Sequence, residues 1–221
     1  MKFRGWPEAA IEFYACLEVD NSKAYWTAHR AVYDECVKAP FEALSAVIEK
    51  EFGPLRVFRP NRDIRFSKDK SPYKTSAAAV TESQGGTAYY VQISATGLYA
   101  GSGYHHLQAD QLQRFRDAVA DNRTGPKLAT AVDALRKKKY DVDARESLKR
   151  APRGFDPEHP RGHLLRMKGI HAGRAFGDPR WLHTAAAADR IVGAWRDAAP
   201  VNRWLDRNVG PSTLAPAEPD Y

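Results

Sequence analysis

Apolar residues near the start of the chain recur at helical spacing. Ala9, Ile11, Phe13, Tyr14 and Leu17 share one face of a segment opened by Pro7 and closing near Asp20. Asp20-Asn21-Ser22 supplies N-cap candidates for a second helix running to Lys38, with Tyr25, Trp26, His29, Val32 and Tyr33 as its repeating face. Pro40 suits an early position in a third helix, whose stripe is Phe41, Leu44, Val47, Ile48 and Phe52 and whose end is Gly53-Pro54. The period then changes. Residues 57–66 read as extended, 75–81 as a β-run, 83–86 as a turn, and 89–94 and 98–104 as strands split by Ala95-Thr96-Gly97. This predicts an antiparallel meander of three or four strands.

Helical spacing returns at 109–120 and 124–138, the latter with Thr124 as cap and Pro126 in its first turn. A basic, proline-containing loop follows to about Pro160, then a short helix at 161–167, a strand at 171–176, and amphipathic helices at 184–197 and 201–209. The pattern predicts one α+β domain over residues 1–210, with a central, mainly antiparallel sheet at about 55–105 flanked by N-terminal and C-terminal helices. Residues 211–221, with Pro211, Pro216 and Pro219 and no aromatic stripe, read as a mobile tail.

With 43% hydrophobic and 11% aromatic residues, 221 positions suffice for a real core, which excludes global disorder. No run of 18 apolar residues is present, so no membrane partner is expected, and the Met-Lys-Phe-Arg-Gly-Trp-Pro start lacks the apolar stretch of a signal peptide. Cys16 and Cys36 both fall in helical patterns, which argues against a disulfide framework and for a cytoplasmic location.

The net charge of +7 is concentrated. Residues 53–76 hold seven Arg/Lys against Asp63 and Asp69, a net of +5; residues 136–153 hold eight against Asp141, Asp143 and Glu146, again +5. The rest of the chain is mildly acidic, and focused positive charge favours a defined anionic partner.

The first cluster is the run Arg59-Pro-Asn-Arg-Asp-Ile-Arg-Phe-Ser-Lys-Asp-Lys-Ser-Pro-Tyr-Lys-Thr75. Read as extended, it points Phe58, Arg62, Ile64 and Phe66 one way and Arg59, Asp63, Arg65 and Ser67 the other. Arginine forks match phosphate or carboxylate, Asp63 orients its neighbours, and Lys68, Lys70 and Lys74 add point charges. The plainer alternative is a set of edge-strand charges that resist sheet-to-sheet pairing. Exposed pairs contribute only ~0–1 kcal/mol, a thin reason to keep so many.

Other chemistry is sparse. Ser67-Lys68-Asp69-Lys70 matches Ser-x-x-Lys only formally, and Gly101-Ser102-Gly103 reads as a glycine-lined strand end. No cofactor motif occurs: neither Walker A nor Gly-x-Gly-x-x-Gly is present. The histidines lack metal-ligand spacing, so no metal is expected. The catalytic candidates are Asp63, Asp69 and His105. Three classes stay open: a module that binds an anionic small molecule, an enzyme acting on a phosphorylated or carboxylate substrate, and a structural charge network. Nucleic acid as partner is thinly backed, since only Phe66 and Tyr73 interleave with the charges.

Several pieces together resemble the DUF2461 family of conserved proteins of unknown function. They are Asn21-Ser22-Lys23-Ala24-Tyr25-Trp26 with Tyr33 and Pro40, the run from Arg62 to Thr75, Gly101-Ser102-Gly103-Tyr104, and 148–155 with 165–169. Tyr25-Trp26 stands where the family tends to have Trp-Phe. The resemblance implies a single cytoplasmic domain and a site drawn from both basic segments; it supplies no reaction. The ligand-binding set is then Arg59, Arg62, Asp63, Arg65, Ser67, Lys68, Lys70, Tyr73 and Lys74 with Lys149, Arg150 and Lys168. That set expects the two segments to approach one another.

Overall fold

The structure is a computed structural model that describes residues 2–65, 68–83 and 85–214. Helix α1 (Glu8–Val19) buries Phe13, Tyr14 and Leu17, as its spacing predicts, and Ala10, while the expected Ala9 and Ile11 are half-buried. Helix α2 (Lys23–Ala28) is capped by Ser22, whose Oγ accepts from the Tyr25 N–H at 3.1 Å. The long second helix is a correction. The chain kinks at His29, whose Nδ1 meets the Tyr25 carbonyl at 2.8 Å while its ring stacks on Tyr25. It resumes as α3 (Arg30–Val32), widens into a π-helical turn (Tyr33–Lys38) and passes straight into α4 (Ala39–Phe52). The wide turn seats Tyr33 and Val37 in the core beside Trp26, and Gly53, at φ +85°, ends α4.

Among the described residues one six-stranded sheet forms, in the order β1-β2-β3-β4-β6-β5, with every neighbouring pair antiparallel. Its strands are β1 (Arg56–Val57), β2 (Ser76–Glu82), β3 (Ala88–Ser94), β4 (Gly97–Tyr104), β5 (Asp141–Asp143) and β6 (Ile170–Gly177). The fold is α+β, as the pattern predicts, but the sheet extends past the meander. The late strand β6 docks on β4, and β5, hidden in the basic loop, closes the far edge. Residues 58–65 do not continue the strand: β1 stops at Val57, because Pro60 and Pro72 remove the N–H groups that a continuing ladder needs, and Phe66 lies outside the described residues.

Strand alternation gives the sheet two unlike faces. Ala77, Ala79, Val91, Ile93, Leu98 and Ala100 are buried on one, where α1, α4, α8 (Ala186–Asp197) and α9 (Ala199–Asn208) pack. The other carries Ala78, Val80, Glu82, Ala88, Tyr90, Gln92, Tyr99 and Gly101. Helix α5 (Ala109–Ala120) ends against Arg161, a buried side chain that donates to the carbonyls of Val119 at 2.6 Å and Ala120 at 2.9 Å. Helix α6 (Gly125–Lys137) precedes β5, and α7 (Gly162–Leu165) follows Arg161. Beyond α9, Ser212 and Thr213 bond the Asp110 carboxylate and Arg114 reaches the Pro211 carbonyl; residues 215–221 of the expected tail lie outside the described residues. No described helix is long and apolar enough to cross a membrane.

Candidate functional site

Past β1 and before β2, residues 58–75 form an irregular hairpin. It is tied by Phe58 N–H to the Ala78 carbonyl at 2.9 Å, Lys74 N–H to Pro60 at 2.8 Å and Arg62 N–H to Pro72 at 2.9 Å. Asn21 clamps it to the helical layer: its amide donates to the Tyr73 carbonyl at 3.1 Å and accepts from the Tyr73 N–H at 3.0 Å. Tyr73, 7% exposed, stacks on Trp26 at 4.3 Å and 11°. The Asn21–Trp26 piece and the basic run, far apart in sequence, are thus one assembly. Tyr73 anchors the hairpin and faces the core, not a ligand.

The expected two-faced row of charges does not form. Ile64 is 37% exposed and does not pack with Phe58. Asp63 folds back on Arg65, taking its Nη2 at 2.7 Å and its backbone N–H at 3.1 Å, and these bonds hold the Asp63 carboxyl down at about 2. Asp69 accepts from the Ser71 side chain and backbone and pairs with Arg62, which also lowers it. Held that low, Asp63 is a weak base; both carboxylates bind guanidiniums here. Lys70 donates to the Ile64 carbonyl at 2.8 Å and closes the loop, Lys68 is exposed, and Phe66 and Ser67 lie outside the described residues.

Arg59 and Lys74 are left over. Neither has a carboxylate within ion-pair distance among the described residues. Partial burial, with Arg59 and Arg62 nearby, pulls the Lys74 ammonium below the ordinary lysine range. Lys74 Nζ sits 5.6 Å from the Phe58 ring centroid, and the Arg56 guanidinium lies 5.0 Å from the same ring.

Phe58 also lines a cavity of about 490 Å³ on the sheet face away from the helices. Tyr90 and Tyr99, in edge contact at 6.1 Å, line it with Gly101 and Gly103; Arg56, Glu82, His105 and His171 supply its charged and titratable groups. The two imidazoles lie 5.7 Å apart, and burial, then mutual proximity for His171 and Arg145 for His105, lowers both. His171 Nδ1 is buried without a hydrogen-bond partner. His105 was legible as a candidate; its partner and the tyrosine walls were not. The signal was there in β4, where Tyr99, Gly101 and Gly103 alternate with the buried Leu98, Ala100 and Ser102. The Ser102 hydroxyl faces the helices, accepting from Asn202 at 2.8 Å.

The two basic segments do not meet along the sheet. The hairpin leaves the β1 edge at the end marked by Ser76, Ser94 and Gly97. Lys149 and Arg150 follow β5 at the other edge, and Lys168 precedes Ile170 at the opposite end. Five strand spacings of ~4.8 Å put the edges about 24 Å apart. Lys168 pairs with Glu146 at 3.0 Å, and Lys149 and Arg150 are exposed. Among the described residues, no group of three His, Cys, Asp or Glu is placed to hold a metal ion.

What fold and site define is an α+β protein with a cation-rich hairpin at the mouth of a groove on an open sheet face. The model of the DUF2461 family, described as conserved hypothetical proteins, matches residues 9–204, and the chain belongs to that family. No curated protein and no solved structure gives a significant match.

Proposed function

We propose that this protein binds a small phosphate- or carboxylate-bearing molecule on the hairpin, with Arg59, Arg62 and Lys74 as its cationic cradle. The observation that carries this reading is the pairing pattern. Asp63 bonds Arg65 and feels Arg59 only through space, Asp69 bonds Ser71 and Arg62, and Lys74 stands beside Arg59 and Arg62 with no carboxylate at ion-pair distance among the described residues. An anion relieves that repulsion and gains bidentate bonds from the guanidiniums. Free Cys16 and Cys36 support a reducing, cytoplasmic setting.

Thermal shift with phosphate, dicarboxylates, nucleotides and short oligonucleotides tests it. One anion class should stabilise the wild type, by ~2.7 kcal/mol at 100 times its Kd, and should do nothing for an Arg59→Ala/Lys74→Ala double variant. A shift that survives in the double variant, or none with any anion, contradicts the reading.

A further inference from the structure

One cross-strand row sets a carboxylate and an imidazole at the two ends of a bare floor. Glu82 on β2, Ala88 on β3, Gly103 on β4 and His171 on β6 stand side by side, and all four line the groove. Three strand spacings of ~4.8 Å put the Glu82 and His171 backbones about 14 Å apart. Between them lie only a methyl group and a glycine. A Cβ at Gly103 would fall 2.4 Å from the Ile170 carbonyl, so that stretch stays without a side chain. Once the two end side chains are subtracted, the gap takes one small ring. His105, 5.7 Å from His171 ring to ring, joins the imidazole end.

Tyr90 and Tyr99 bound one side of this floor. Their rings meet edge to face at 6.1 Å, and the hydroxyl end of Tyr99 lies over Gly173, where a Cβ would come within 1.8 Å of it. The free space is beside that pair, not between its rings. About 490 Å³ falls in the range of small-molecule pockets.

The lining groups choose a ligand by what they donate and accept. Arg56 and Glu82 cancel in charge, and burial lowers both imidazoles, which keeps them neutral at pH 7. A carboxylate only accepts, a guanidinium only donates, and a neutral imidazole does one of each. A hydroxyl both donates and accepts, so several hydroxyls on one ring answer all of these groups. A carboxylate or phosphate would face Glu82, and an ammonium would face Arg56. His171 Nδ1, buried without a protein partner, is an atom that such a hydroxyl satisfies.

We propose that the groove binds a neutral sugar: a pyranose ring rests on Ala88 and Gly103, with its hydroxyls bonded to the Glu82 carboxylate at one end and to the His105 and His171 imidazoles at the other. Arg56 donates to it from the rim. This site is separate from the hairpin cradle, since Arg59, Arg62 and Lys74 are not among its lining residues.

Saturation-transfer NMR and calorimetric titration with methyl glucoside, methyl galactoside and methyl mannoside test it, with cyclohexanol, glutamate and inorganic phosphate as comparisons. At least one glycoside should bind the wild type more tightly than cyclohexanol. Ala88→Phe, which fills the floor, should abolish that binding and leave the hairpin's response to phosphate intact. Glu82→Gln and His171→Phe should each weaken it about tenfold, the loss expected for a hydrogen bond to a charged or buried group. No glycoside binding, or binding unchanged in Ala88→Phe and Glu82→Gln, overturns the site. Cyclohexanol held as tightly as the glycosides, or glutamate held in their place and lost in Glu82→Gln, overturns the ligand class. Should Ala88→Phe unfold, Glu82→Gln, a conservative change at an exposed position, carries the comparison alone.

Discussion

The stretches 53–76 and 136–153 each carry a net charge of +5, yet they spend it on different tasks. In and just after the second region, several cations are taken up by the fold. Lys138 pairs with Asp197 at 2.6 Å, Arg136 reaches the Val142 carbonyl, and just downstream Lys168 meets Glu146 and Arg161 caps α5. Six more, Lys137, Lys139, Arg145, Lys149, Arg150 and Arg153, have no ion pair among the described residues and are dispersed on the surface. In the hairpin the carboxylates brace two arginines, and Lys74, over the Phe58 ring, sits beside Arg59 and Arg62 with no carboxylate at ion-pair distance among the described residues. Equal charge counts therefore say little; what matters is where the acceptors fall.

Removing an absorbed cation should have the largest effect. Arg161→Ala leaves the Val119 and Ala120 carbonyls and the Asn122 side chain without their donor in a buried place. A loss of about 3 kcal/mol in chemical denaturation is expected; a loss under about 1 kcal/mol would break the contrast between the regions. Asn21→Ala comes next. It deletes both clamp bonds to Tyr73, at an expected ~1–2 kcal/mol, and should speed hydrogen exchange at the Tyr73 amide while leaving the second region's amides unchanged.

The imidazoles give a smaller, pH-dependent effect. Both sit below their ordinary 6.5, Asp141 and Asp143 pulling His171 back up and Arg145 and His106 pushing His105 further down. As pH falls through 6.5 the unfolded chain binds protons that the folded groove refuses, so stability should decline until the folded imidazoles also protonate. A His105→Asn variant should show a shallower decline between neutral pH and about 5. Smallest of all, Lys149→Ala and Arg150→Ala should leave stability within about 0.5 kcal/mol and phosphate affinity unchanged.

Much of the fold could be read from periodicity. The α1 face, the α5 boundaries and the β2–β4 meander follow from spacing that survives in the structure. The departures have local causes. Strand β5 is Asp-Val-Asp, with Val142 its lone apolar residue, too short to show alternation. Prolines at 60 and 72 ended a strand that charge and β-like residues suggested. His29 diverted a helix whose stripe was otherwise intact. At the site, the run 59–75 was visible by charge, but which cation each carboxylate would take depends on backbone turns that spacing does not encode. The pairing of Asp69 with Arg62 across the loop is the example. The groove was the least legible part, because an uncovered face built of Gly, Ala and Tyr looks like ordinary strand alternation until the helices are seen to lie on the other side.

The central claim is that Lys74, set beside Arg59 and the Asp69-paired Arg62, belongs to a cluster with an excess of positive charge that an anion relieves. NMR titration of the Lys74 side chain, without and with inorganic phosphate, tests it most directly. The Lys74 ammonium should lose its proton below the ordinary lysine value of 10.5 in the free protein and move back up when phosphate binds. An ordinary value that phosphate does not change would contradict the cluster and leave the hairpin's charges as surface decoration.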